Sequence, residues 1–154
     1  MTHEMQVDTS RMVLDTDICD PDLKENEILT RRAREARDYL HSFNWCHAVD
    51  KLWFAGGFSH VAVFFAHIDS IQYDKAIWVV VGDLPSAHLV VDDIPDFKEA
   101  LMSYAYHMRK WVDAVKTGKN TKRLIPVNAP QTSEYAEMLE SRLNFIEHEF
   151  VSSL

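Results

Sequence analysis

The stretch VLDTDICDPD, residues 13–22, sets Asp15, Asp17, Asp20 and Asp22 directly behind the apolar pair Val13-Leu14. An apolar strand ending in Asp-x-Asp is how some phosphoryl-transfer sites begin, one carboxylate attacking phosphorus and the other serving as acid and base beside a magnesium ion. That chemistry needs an alternation of strands and helices around it, and none follows here. Calcium is no better served. With Asp15 as the first ligand of an EF-hand loop, Cys19 falls at the fifth position, Asp20 replaces the glycine of the sharp turn, and Asn26 replaces the bidentate glutamate. Asp20 and Asp22 have a simpler use: Asp20-Pro21 is an N-cap followed by proline at the first helical position, and Asp22 lies near the positive end of that helix. Asp15 and Asp17 remain as negative charge.

Cys46-His47 joins a thiol to a base in sequence, but neighbours on a helix point about 100° apart. The base for a Cys46 thiolate would have to be a distant histidine such as His60, His67 or His107. The apolar company of Trp45, Val49 and Trp53 favours a buried structural thiol instead. Eight histidines could supply a metal site, yet no His-x-x-x-His, His-x-x-Glu-His or Cys-x-x-Cys spacing occurs, so no metal or other cofactor is expected. Gly56-Gly57 lacks the Lys-Ser or Lys-Thr that completes a phosphate loop. In VVDDIPD, Asp96 reads as a helix cap, whereas Asp92 and Asp93, beside the turn carrying Asp83, would form a negative patch on one sheet edge. Asp15, Asp17, Asp83, Asp92 and Asp93 are therefore the candidate partner-binding residues, and no catalytic residue is assigned.

The elements that must position these groups follow from periodicity. Residues 1–19 read as an acidic arm with a short strand at RMVL. A helix is predicted from Pro21 to Ser42, with Leu29, Ala33, Ala36, Leu40 and Phe43 on one face and Arg31, Arg34, Glu35 and Asp38 opposite. Glu27 with Arg31, and Arg34 with Asp38, have i,i+4 pairing distance. NWCHAVDKLWFAGG suggests a second, shorter helix capped by Asn44 and ended by Gly56-Gly57. Three strands are predicted at His60–Ile68, Lys75–Gly82 and Ala87–Val91, the last two joined as a hairpin through GDLPS. Asp96 and Glu99 open a long helix whose stripe of Phe97, Leu101, Tyr104, Met108, Trp111 and Val115 ends before Gly118. LIPV in the following connector is expected to lie extended across the core. Thr132 then caps a final helix with Tyr135, Leu139, Leu143, Ile146 and Phe150 on its buried side. Strands followed by helices predict an α+β fold, an antiparallel sheet of about three strands with four helices packed on it.

At 154 residues, 47% of them apolar, the chain suits one globular domain spanning 1–154. Two cysteines, Cys19 and Cys46, without an export signal or a long apolar run, point to free thiols in a reducing cytoplasm and no membrane association. Of the net charge of −8, residues 1–27 carry −6, from eight acids against two bases. Such a surface repels phosphate backbones and attracts basic proteins, so direct nucleic-acid binding is disfavoured.

AIWVVVGDLPSAHLVVDD, EALMSYAYHMRKWVDAVKTG and LIPVNAPQTSEYAEMLESRLNFIE together resemble small uncharacterised bacterial proteins of the toxin-immunity type, over about residues 39–148. The resemblance implies a bacterial α+β domain that neutralises a partner. The resulting expectation is an acidic cytoplasmic binding protein that occludes a cognate toxin, such as a basic nuclease, or another basic protein. The rival is a small enzyme with a dispersed site built from Cys46 and a histidine or carboxylate. Homo-oligomerisation is compatible with either.

Overall fold

The structure, a computed structural model, describes residues 7–18, 24–58, 60–70, 76–91, 94–127 and 129–151. Strand β1 (Val13–Leu14) runs into a single 3₁₀ turn (Asp15–Asp17), and helix α1 spans Lys24–His41. Four more strands follow, β2 (Cys46–Phe58), β3 (Val61–Ser70), β4 (Ala76–Gly82) and β5 (Ala87–Val90), then helices α2 (Phe97–Thr117) and α3 (Ser133–Val151). The strands form one antiparallel meander in the order β1-β2-β3-β4-β5. The fold is α+β, with five strands and three helices among the described residues.

The main departure from the sequence reading is β2. NWCHAVDKLWFAGG is not a helix: residues 46–58 pair along their length with β3, from Cys46 opposite Ser70 to Phe58 opposite Val61. Leu52 and Trp53, expected on one apolar side, lie on opposite faces of the sheet, in two different clusters. The proposed cap at Asp20 and the start of α1 at Pro21 fall outside the described residues, as do Cys19 and the Phe150 side chain. On α1, neither Glu27 and Arg31 nor Arg34 and Asp38 close to ion-pair distance; the helix instead pairs Arg32 with Glu35 at 2.9 Å.

Helices cover both faces of the sheet, which explains why β3 reads as an unbroken apolar run: every residue from Val61 to Ala66 is buried. Leu52, Phe64, Ile77, Val79 and Val81 meet Ala33, Ala36 and Leu40 of α1. Trp53, Val63, Phe65, Trp78 and Val80 face the other way, toward Leu101, Tyr104, Met108 and Trp111 of α2 and Leu139, Leu143 and Ile146 of α3. Each fully buried Leu, Ile, Phe or Met in these clusters contributes about 1.5–3 kcal/mol relative to exposure.

The two long helices end as their sequences require. Asp96 accepts the Glu99 N–H at 2.9 Å, and Gly118, at φ 71°, lets Lys119 N–H reach back to Ala114 C=O at 2.8 Å. Thr132 Oγ1 caps α3 by accepting the Tyr135 N–H at 3.1 Å. Arg109 binds Glu147 and Asn144, and Lys116 binds Glu140, fixing α3 antiparallel along α2. Two buried hydrogen bonds then pin the loops: Trp78 Nε1–H donates to Ile94 C=O at 3.1 Å, and Tyr104 O–H donates to Pro85 C=O at 2.6 Å.

Candidate functional site

Asp15 and Asp83 have partners within the fold. The Asp15 carboxylate, only 13% exposed, receives Nε–H and Nη2–H of Arg37 at 2.6 and 3.1 Å, a bidentate pair that ties the 3₁₀ turn to α1. The same bond raises the pKa of Arg37 against the opposing effect of burial. Asp83 lies in the turn after β4, where it meets His60 Nδ1 at 2.9 Å and Arg32 Nη2 at 3.2 Å. These contacts, the His60 bond foremost, hold its carboxyl below the usual carboxylate range. Arg32 is itself buried, so the pair anchors the β4–β5 loop to α1. Asp17 stands exposed on the 3₁₀ turn. Asp92 and Asp93 lie outside the described residues.

Cys46 is buried at the start of β2, its thiol donating to Ala48 C=O at 3.7 Å. Burial pushes the thiol pKa up, and the negative charges of Asp69 and Asp50 push it further. A nucleophilic cysteine needs the reverse, a neighbouring cation or helix N-terminus that favours thiolate. Among the described residues no group of three or more His, Cys, Asp and Glu is placed to hold a metal ion. No helix of the described residues is long and apolar enough to cross a membrane.

What the fold assembles instead is an open cleft of about 820 Å³. One wall is Tyr39 near the C-terminal end of α1 with Ser42 and Phe43 just after the helix; the floor is the loop Asp83–Ser86 and Trp111 of α2; the far wall is the α2–α3 connector and the side of α3 that carries Tyr135 and Arg142. The Tyr104 bond to Pro85 and the Arg32 bond to Asp83 hold the floor from two sides. Behind Tyr39, the phenol hydroxyl meets His88 Nδ1 at 2.8 Å, inside a group of rings formed by Phe43 and Trp45. Burial lowers the His88 pKa, so the imidazole is neutral there.

The cleft's positive groups are Lys122 and Arg142, and sequence reasoning passed over both. The connector was expected to supply an extended LIPV, and Leu124, Ile125 and Val127 do pack against the core as partly buried side chains. Lys119, Lys122 and Arg123 within an acidic chain were the available signal. On either side of the cleft-lining Arg142, α3 exposes Met138 (39%) four residues before it and Phe145 (47%) three after it, all on one side of the helix. The Phe145 ring stands edge-on to His60 at 6.4 Å, which joins this stripe to the Asp83 corner of the cleft.

Comparison with known protein families, curated proteins and solved structures returns no match to this chain.

Proposed function

We propose that this protein is a binding protein of the toxin-immunity type, which neutralises a cognate basic protein by covering its working surface. The observation that carries the reading is the exposed stripe Met138, Arg142 and Phe145 on α3, continuous with the open cleft. Aromatic side chains, Met and Arg are the residues enriched at protein interfaces, and a few of them supply most of the affinity. The net charge of −8 adds long-range attraction toward a basic partner and speeds encounter. Asp17 is exposed and free to contribute to that field, whereas Asp15 and Asp83 are committed to Arg37 and to Arg32 and His60. The setting of Cys46 disfavours thiolate, so the enzyme reading draws no support from it.

The test is co-expression and co-purification with the product of the adjacent gene. Relief of that product's toxicity, with affinity reduced at least about 30-fold by Met138→Ala with Phe145→Ala, is the expected result. Absence of binding together with undiminished toxicity would sink the reading.

A further inference from the structure

We infer that the cleft is a binding site for a small monocarboxylate with an apolar or aromatic body, an activity that goes beyond the partner-binding reading and does not depend on it. At about 820 Å³ it has the size of a small-molecule site, for which about 300–1,000 Å³ is usual. Its lining sets apolar surface from Phe43, Trp111 and Ile125 beside polar groups such as Ser86, Gln131 and Arg142, so a ligand can be held by a polar end while its body packs on the rings.

Charge selects the class. Lys122 and Arg142 line the cleft and, among the described residues, neither has an ion-pair partner, whereas the acid that lines it, Asp83, is already held by Arg32 and His60. Two cations against one carboxylate leave the lining at a formal +1, in a protein whose net charge is −8. One negative charge balances that lining. A dianion such as phosphate would bring a second negative charge toward Asp83. The guanidinium fork of Arg142 matches a carboxylate bidentately. Tyr135 also lines the cleft, seven residues before Arg142 and so on the same side of α3, and its hydroxyl can donate a further hydrogen bond.

The experiment is a ligand-observed NMR titration of the full chain with indole-3-acetate and octanoate, their neutral amides, and inorganic phosphate. At least one carboxylate is expected to bind with a Kd on the order of 1 mM or tighter, the affinity a ligand of this size reaches at ordinary efficiency. Its amide should bind about tenfold more weakly or worse, and phosphate should bind more weakly than the carboxylate. Arg142→Gln, on an exposed position, should cost the carboxylate about tenfold and leave the amide unchanged. Acid and amide binding alike, phosphate binding more tightly, an unaffected Arg142→Gln variant, or no carboxylate bound by about 10 mM would each overturn the assignment.

Discussion

Gly82 closes β4 at φ +150°, and its place in the fold allows the cost of a single methyl group to be worked out. A Cβ at this position would lie 2.2 Å from the His60 carbonyl oxygen and 2.9 Å from Val61 Cα. Both are backbone atoms at the start of β3, so no rotamer change relieves the contact. Holding alanine at such a φ costs about 1–3 kcal/mol. The clash also opens the 2.8 Å hydrogen bond from Asp83 N–H to His60 C=O, a further loss of about 0.5–1.5 kcal/mol. Gly82→Ala is therefore expected to destabilise by about 1.5–4.5 kcal/mol. Gly118→Ala is the control: φ is +71°, but nothing lies within 4 Å of the added Cβ, so only the left-handed backbone cost of about 1–2 kcal/mol applies. Both changes restrict the unfolded chain equally, and that gain cancels in the comparison. Urea unfolding followed by tryptophan fluorescence measures the two, with an unchanged m-value confirming that the same transition is compared. If Gly82→Ala proves no more damaging than Gly118→Ala, the contact geometry of the β3–β4 corner is wrong and the placement of Asp83 with it.

Two other measurements bear on the site. Cys46 should resist iodoacetamide in the native protein near pH 8 and react on unfolding, because burial and nearby carboxylates raise its pKa; rapid native alkylation would revive the thiol-enzyme reading. His88 is held neutral by burial, so its folded pKa lies below the unfolded value of about 6.5. The unfolded chain then takes up the proton first as pH falls: the contribution is fully present above about pH 6.5 and is lost below it, by at most about 1.4 kcal/mol per pH unit. Thermal unfolding between pH 7.5 and 5 should show a shallower dependence for His88→Gln than for the parent chain, with a remainder from His67 and His107, which burial lowers in the same direction. Equal slopes would mean that His88 is not desolvated as the ring cluster requires.

The elements with intact local signals were legible. The capped long helices, the buried stripe of α2 and the β4–β5 hairpin stand where periodicity and turn chemistry put them. β2 was misread for a specific reason. Its pairing with β3 is interrupted at Cys46/Ala48, Val49/Lys51 and Phe54/Gly56, and each irregularity shifts the two-residue alternation by which a strand is recognised. What remains, Trp45, Val49, Leu52 and Trp53, happens to fit a helical spacing. Gly56-Gly57, taken as a helix end, lies within the strand; a Cβ on Gly57 would sit 2.3 Å from Val61 C=O, so the close approach of β2 to β3 there needs glycine.

The acids posed a different problem, because their role depends on partners remote in sequence. Arg37 reaches Asp15 across 22 positions and Arg32 reaches Asp83 across 51, so two residues of one helix absorb charges that the linear chain presents as bare. If the proposed basic partner is steered by charge, the acids exposed without a cation held against them among the described residues, such as Asp17, Asp38, Asp50 and Asp69, contribute most. The cleft inverts the pattern. Its cations come from the connector and from α3, in a chain whose total charge is −8. Net charge thus bears on how the proposed partner would arrive, and the local sign at Lys122 and Arg142 on what the cleft could hold; the two need not agree, because screening limits the reach of an exposed charge to about 10 Å at ordinary ionic strength.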